Sequence, residues 1–316
     1  MTIEQTDGIS AEFGFYPKPL DIDNERFSVK TLPEHEKKVT FITQHPNTQK
    51  NWIYAGFQQK IDIASGETTP LPYSERVFSL PKTHVLTLYK NENPEDLDFV
   101  VWCLSFFTGM RLTTITKGGF LDATPIKPET LVDFILYPCS LEDVIKLALD
   151  YLESERGNSR TTKRVTAVIH TLFLAQYPSS LPFERFQYLY MVLDTCYKLV
   201  VEKADTKPER TMPHGARVQW MCNQFNITIP DWAITCGKNS EISTVRNDTM
   251  HESLFFDEPL GFSLYGGNQF DKKHKNATLE MRNLICRLLV CILGISDFNY
   301  ITSSINDRMY KSLNLR

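Results

Sequence analysis

The chain lacks the features that mark membrane, secreted and metal-binding proteins. It has no run of about 18 apolar residues, so no membrane-spanning helix is indicated. Residues 1–5 are acidic and polar, unlike a signal peptide. No two of the seven cysteines are spaced as Cys-x-x-Cys or in a zinc-binding pattern. We therefore expect a protein of the reducing cytoplasm with no cofactor, no structural metal and no membrane partner.

Three further absences exclude repeat, low-complexity and nucleotide-binding proteins. There is no internal repeat and no low-complexity tract. The pair Gly118-Gly119 lacks both the strand-to-helix setting and the Lys-Ser/Thr of a phosphate-binding loop, so we assign it no nucleotide-binding role. Cys103, Cys196, Cys286 and Cys291 stand in apolar helix-like runs, where a reduced cysteine packs as a small hydrophobe.

The composition is that of a globular protein, and its charge is unevenly distributed. Of the 316 residues, 42% are hydrophobic and 23% charged, which is enough for two cores. Residues 1–150 hold 14 Lys+Arg and 21 Asp+Glu, a net charge of −7, whereas residues 151–316 hold 20 and 17, a net charge of +3. The change of sign favours two regions with different partners. A mildly positive C-terminal half is compatible with RNA binding, and scatter in surface charge is the alternative.

The first 95 residues are predicted to be β-rich. Strand-like segments occur at residues 39–43, 52–57, 60–63 and 84–89, separated by Pro, Gly and Asn. Asn93-Pro94 is typical of a helix start, and residues 99–107 are strongly apolar. Residues 108–128 are rich in glycine and proline and predict a loop or a short hairpin.

From Ser140 onward the pattern is helical. Ser140 is a plausible N-cap, and the apolar residues of a long third helix recur at spacings of three and four. The predicted helices cover residues 144–155, 161–176, 182–204, 212–225, 241–254 and 277–293. The fold class is therefore α+β. We divide the chain into a β-rich region, 1–95, with a sensing or regulatory role, a helical connecting region, 96–178, and a helical bundle, 179–316.

The short motif Arg246-Asn247-Asp248-Thr249-Met250-His251 is the strongest indication of chemistry. At about 100° per residue on a helix, Asn247 and His251 share a face, so the amide can hold one imidazole nitrogen. Arg246 lies roughly 140° away from His251, and it reaches the same space either through its long side chain or across an interface.

These residue types suit cleavage of RNA without a metal ion. RNA carries its own nucleophile, the 2′-hydroxyl. Histidine exchanges protons near neutral pH, and arginine forks onto two phosphate oxygens. The set Arg246, Asn247 and His251 thus predicts a phosphate clamp, an orienting amide and a proton-transfer group. The alternative for so short a motif is a solvated helix face with an incidental histidine.

Four segments in order place this motif in a wider pattern. They are FQYLYMVLD at 186–194, ARVQWMC at 216–222 followed by Asn226-Ile227, ISTVRNDTMHE at 242–252, and LEMRNLICRLL at 279–289 closing with Ile292-Leu293-Gly294-Ile295. Over roughly residues 180–296 the chain resembles the HEPN superfamily, and most closely its Apea-like branch. The Arg-Asn-x-x-x-His core is the specific part of the resemblance.

The resemblance implies an α-helical bundle that forms a homodimer, with the Arg-x-x-x-x-His pairs of both subunits facing one cleft. Many members are metal-independent ribonucleases of toxin–antitoxin, abortive-infection and other antiviral systems. It therefore implies an endoribonuclease with Arg246, Asn247 and His251 as catalytic residues, and an antitoxin or defence-system protein as a partner. The alternative is a non-catalytic HEPN-type module for dimerisation or partner binding.

Other polar residues are weaker candidates. Asp194 is predicted either to orient an imidazole or to be an ordinary polar residue of a helix surface. His214 and Arg217, near a helix start, either contact RNA or serve packing and surface roles. A basic run either guides RNA through phosphate contacts or is a solvated loop; it consists of Arg156, Arg160, Lys163 and Arg164. The aromatic residues Tyr188, Tyr190, Tyr197 and Trp220 are predicted to belong to the core.

Overall fold

The computed structural model describes residues 8–115, 123–204, 207–208, 212–251 and 277–316. The chain divides into two compact units, Met1–Leu131 and Val132–Arg316. Within the described residues, no helix is both long and apolar enough to cross a membrane. The Gly118-Gly119 pair and the predicted end of the fifth helix near residue 254 lie outside the described residues.

The fold is α+β, as predicted. The strands are β1 (Gly8–Phe13), β2 (Ile22–Asp23), β3 (Phe27–Thr31), β4 (Thr48–Gln49), β5 (Trp52–Ile53), β6 (Gln59–Ile61), β7 (Thr68–Pro70), β8 (His84–Tyr89), β9 (Thr124–Pro125), β10 (Phe134–Leu136) and β11 (Lys311–Leu313). The helices are α1 (His35–Thr43), α2 (Pro94–Thr108), α3 (Leu141–Ser154), α4 (Ser159–Leu174), α5 (Pro182–Lys203), α6 (His214–Phe225), α7 (Glu241–His251), α8 (Ala277–Ile292) and α9 (Phe298–Ile301).

The first unit is built on a four-stranded antiparallel sheet in the order β1-β8-β3-β2. Burial alternates along β8: His84, Leu86 and Leu88 are buried, and the residues between them are partly exposed. This period of two is expected when one face of a sheet packs on a core. Two smaller antiparallel sheets, β4-β5-β9 and β6-β7, complete the unit.

Helix α2 supplies much of the core of the first unit and packs against β1. Asn93 begins it as predicted, because its side chain accepts a hydrogen bond from the backbone N–H of Glu95. Gly109, with a φ of 60°, ends it in the left-handed conformation. Most of the helix between these caps is buried, in agreement with the apolar run at residues 99–107.

The predicted strand at residues 39–43 is wrong, because this segment forms the last part of α1. Val39, Thr40 and Ile42 are β-branched and favour strands, but this preference is weak and depends on packing. In α1 only His35 and Ile42 are buried, seven residues or two turns apart, so a single narrow stripe anchors the helix. The predicted strands at 52–57 and 60–63 are shorter or shifted in the structure, as β5 and β6.

The second unit is mainly helical. Its predicted helices are confirmed with bounds that differ by a few residues, and Ser140 caps α3 through a capping box with Asp143. Helix α5 packs against α4, α6 and α8. Helix α8 is buried along most of its length and ends before Gly294, whose φ is 90°. Cys103, Cys196 and Cys286 are buried and Cys291 is half-buried, consistent with the predicted packing of reduced thiols.

A buried ion pair joins the start of the second unit to α8. Arg287 Nη1 donates to Asp133 Oδ2 at 2.7 Å, and both side chains are at most 2% exposed. The hydroxyl of Tyr300 donates to the other carboxylate oxygen at 2.7 Å. Next to Asp133, strand β10 pairs in parallel with β11 near the end of the chain. The boundary between the two units, at Leu131 and Val132, falls inside the predicted connecting region 96–178.

Candidate functional site

Helix α7 presents the motif on its exposed side. Ile242, Val245 and Thr249 are buried and lie on one side of the helix, because they are three and four residues apart. Arg246 is half-buried, whereas Asn247 and His251 are exposed. Burial of the apolar stripe therefore fixes which way the polar residues of the motif face.

Arg246 contacts His251 within one chain. Its Nη1 atom lies 2.9 Å from Nε2 of His251 and 2.9 Å from Oδ1 of Asn247. Because a guanidinium only donates, the imidazole nitrogen accepts this hydrogen bond. The helical geometry allowed Arg246 to reach His251 either through its long side chain or across an interface. The long side chain is sufficient. Asn247 bonds to the arginine and, within the described residues, forms no hydrogen bond to the imidazole of His251.

A second cluster stands beside the motif, on α5 and α6. Asp194 Oδ1 accepts a hydrogen bond from Arg217 Nη1 at 2.9 Å and lies 3.4 Å from Nδ1 of His214. The ring of Tyr190 stacks on His214 with a centroid separation of 6.5 Å. It also faces Arg246, whose Cζ atom is 5.9 Å from the ring centroid. Tyr190 thus contacts both the motif and this cluster.

We refer to the residues on these three helices as the three-helix site. They are Tyr190 and Asp194 on α5, His214 and Arg217 on α6, and Arg246, Asn247 and His251 on α7. These seven side chains include two guanidinium groups, of Arg217 and Arg246, and one carboxylate, of Asp194, so together they carry a net positive charge when both histidines are neutral. Such a surface favours an anionic ligand.

Gly215 allows α6 to approach the start of α7. A Cβ atom at this position would lie 2.6 Å from the backbone nitrogen of Ser240 and 2.7 Å from the backbone of Asn239. Contacts this short with backbone atoms do not occur without a shift. The absence of a side chain at Gly215 therefore lets the neighbouring His214 stand close to the helix that carries the motif.

Burial and neighbouring charges set the ionisation of the second cluster. Burial lowers the pKa of His214, and the nearby cations Arg217 and Arg246 lower it further, while Asp194 opposes them. His214 is therefore mainly neutral at pH 7. Burial raises the pKa of Tyr190 to about 12, so its phenol keeps its proton.

The weaker predicted residues fall into two groups. Asp194 and Arg217 belong to the three-helix site, although Asp194 contacts His214 and not His251. The basic run lies apart, at the start of α4 and in the loop before it. Arg156 pairs with Glu153 at 3.7 Å, and Arg164 pairs with Glu202 near the end of α5. Glu202 lies about 12 Å of helical rise beyond Asp194, towards the C-terminal end of α5, so Arg164 is held apart from the site.

Two residues, Tyr190 and His214, contribute more to the site than their sequence positions indicate. Tyr190 is buried, as predicted, but its ring also faces the site. Tyr197 and Trp220 were predicted to belong to the core but are half-buried, and their rings meet edge to face with centroids 5.6 Å apart. His214 stands 32 residues before Arg246, and no spacing rule connects them. Spacing within each helix was the one indication in the sequence. Tyr190 and Asp194 are four residues apart and share a face of α5, and His214 and Arg217 are three apart and share a face of α6.

Comparisons with known proteins add no assignment. No protein-family model matches the chain, and neither a curated protein nor a solved structure matches it. Among the described residues, no group of three or more His, Cys, Asp or Glu is arranged to hold a metal ion. A functional assignment therefore rests on the geometry of the three-helix site.

Proposed function

We propose that the chain is a metal-independent endoribonuclease of the HEPN type. The observation that carries the proposal is the 2.9 Å contact between Arg246 Nη1 and His251 Nε2, which places a permanent cation and a titratable imidazole at one point of an exposed helix face. A phosphate bound by the guanidinium would lie next to the imidazole. The net positive charge of the three-helix site supports an anionic substrate.

The reaction uses the 2′-hydroxyl of RNA as the nucleophile. A base removes its proton, the 2′-oxygen bonds to phosphorus, and the bond from phosphorus to the 5′-oxygen breaks as an acid protonates the leaving oxygen. His251 transfers one of these protons, and Arg246 holds the phosphate and offsets its developing charge. Asn247 holds Arg246 through its Oδ1 atom, so it positions the clamp and acts on His251 only indirectly.

One Arg246–His251 pair supplies one proton-transfer group. A homodimer that brings two pairs to one cleft would supply both the base and the acid, together with a doubled phosphate clamp. We propose this arrangement, with the basic run at the start of α4 as a path for flanking RNA. The proposed setting is the cytoplasm, in a toxin–antitoxin or antiviral defence system with a protein partner.

Cleavage of labelled RNA in EDTA tests the activity. We expect wild-type protein to cleave, and His251→Ala and Arg246→Ala to lose activity by about a hundredfold or more. His45→Ala and Arg308→Ala are matched controls outside the site, and we expect them to cleave like wild type. Equal cleavage by His251→Ala and wild type, or a requirement for added metal, would exclude the proposal.

The competing hypothesis is a non-catalytic module for dimerisation or partner binding. It predicts that the wild-type protein leaves RNA intact at every pH and salt concentration. It also predicts that expression of wild type and of Arg246→Ala has the same effect on cell growth. Under the nuclease proposal, expression of the wild-type chain is toxic and Arg246→Ala or His251→Ala relieves the toxicity.

A further inference from the structure

His214 has one ring nitrogen engaged and one left for a ligand. Its Nδ1 atom lies 3.1 Å from Nη1 of Arg217, and it also faces the hydroxyl of Tyr190 at 3.4 Å and Oδ1 of Asp194 at 3.4 Å. Within the described part of the chain, Nε2 forms no hydrogen bond. The side chain is 38% exposed, so the imidazole is accessible from solvent.

Nδ1 faces a donor, Arg217 at 3.1 Å, and an acceptor, Asp194 at 3.4 Å, and the shorter contact with Arg217 favours a ring proton on Nε2. A guanidinium N–H can only donate, so Nδ1 accepts, and a neutral imidazole then carries its proton on Nε2. The lowered pKa of His214 is consistent with this neutral form. The groups that face His214 are Asp194 and Tyr190 on α5, Arg217 on α6 and Arg246 on α7, and of the charged ones only Asp194 opposes the neutral form. In this state His214 presents a fixed N–H donor.

The imidazole of His214 lies on the same side of the site as the proposed phosphate clamp, because Tyr190 contacts both. The ring of Tyr190 contacts both the imidazole of His214 and the guanidinium of Arg246. Arg246 is close enough for its charge to act on the imidazole of His214. Gly215 permits this approach, because the start of α6 packs directly against the backbone before α7.

We propose that His214 is a second phosphate-contacting residue, which donates a hydrogen bond from Nε2 to a non-bridging oxygen of the RNA backbone. This inference rests on the proposed ribonuclease function and adds a residue to it. His214 moves no proton in this role. Its donor complements Arg246, so that the developing charge on the phosphate is met from α6 as well as from α7.

Rescue by a neutral donor tests this role in the full-length protein. We expect His214→Ala to lower kcat for RNA cleavage by about a hundredfold or more, the scale for loss of one preorganised donor. His214→Gln, whose amide N–H reaches about as far as Nε2, should recover most of the loss with an unchanged pH profile. If His214→Gln is as impaired as His214→Ala and imidazole in the buffer restores it, His214 transfers protons and the proposal is wrong. Full activity of His214→Ala would also overturn it.

A second measurement separates this inference from the proposed function. In protein labelled with nitrogen-15 at histidine, we expect the free protein to show a protonated Nε2 and an unprotonated Nδ1 for His214. Uncleavable 2′-O-methyl RNA should shift the Nε2–H signal. If that shift occurs and natural RNA stays intact, the phosphate contact stands and the nuclease proposal fails. If RNA is cleaved but the tautomer is reversed or the signal does not move, the nuclease proposal stands and the role of His214 fails.

Discussion

Arg246 Nη1 lies 2.9 Å from His251 Nε2, although the two residues point roughly 140° apart around α7. The guanidinium also holds Oδ1 of Asn247 and faces the ring of Tyr190. The aromatic face and the amide keep the arginine turned along the helix surface towards the histidine. A single chain therefore brings the guanidinium of Arg246 and the imidazole of His251 together.

Adding a negative charge beside Arg246 should weaken RNA binding. Asn247→Asp places a carboxylate where Oδ1 now accepts from Arg246 Nη1. The negative charge of this carboxylate offsets the positive charge of the guanidinium in the protein without RNA. We expect affinity for single-stranded RNA to fall by about tenfold and the slope of its logarithm against that of salt concentration to drop by about 0.7. Fluorescence anisotropy at several salt concentrations measures both. Thr244→Asp, exposed on the same helix, adds the same charge away from Arg246 and should change the slope less; an equal effect of the two variants would contradict the prediction.

Gly215→Ala should destabilise the protein even though it improves helix propensity. On an open helix face this change would stabilise by about 1 kcal/mol. Here the new Cβ atom would lie 2.6 Å from the backbone nitrogen of Ser240, so α6 must move away from α7. We expect a lower free energy of unfolding in urea and weaker cleavage, because His214 moves with α6. A more stable variant with full activity would show that this close approach does not position the site.

Removal of the buried ion pair between Arg287 and Asp133 should lower the free energy of unfolding. Arg287→Met leaves Asp133 buried with Tyr300 as its remaining side-chain donor, and we expect a loss of about 3–5 kcal/mol in the free energy of unfolding. The matched control is Arg316→Met, which removes an exposed pair with Asp143. We expect that change to cost less than about 1 kcal/mol. Denaturant titration of both variants gives the comparison, and similar losses would refute it.

The first unit should lose stability in mild acid. Burial lowers the pKa of His84 from 6.5 to about 4, with His35 adding to the effect. Between these values the unfolded chain binds a proton that the folded chain does not, so stability rises with pH and falls as the pH drops. Because folding lowers this pKa, the free energy of unfolding falls by about 2 kcal/mol between pH 7 and pH 5.

His84→Gln tests this contribution, since glutamine does not titrate. We expect the variant to be less stable than wild type at pH 7, because it loses the ring contact with Phe13. Between pH 7 and pH 5, however, its free energy of unfolding should change by about 2 kcal/mol less than that of wild type. His45→Gln, at a partly exposed position, is the control and should keep the wild-type dependence. An unchanged slope in His84→Gln would show that other groups are responsible.

Local patterns predicted a large part of the fold. The alternation at residues 84–89 predicted β8, and spacings of three and four predicted α5 to within one residue. Caps and breakers act within a few residues, so Asn93, Ser140 and Gly294 marked helix ends correctly. Residues 39–43 were mispredicted because a run of β-branched residues there is overridden by burial of His35 and Ile42.

The sequence by itself determined the α+β class, the order of the helices and the presence of Arg246, Asn247 and His251 on one helix. Only the tertiary structure decided which residues from other helices lie beside these three. Tyr190 and His214 are 24 residues apart, and Asp133 and Arg287 are 154 apart. No periodicity links such positions, because their proximity depends on how whole helices pack. Gly215 shows the reason most directly: its lack of a side chain matters only because the backbone before α7 comes to lie against it.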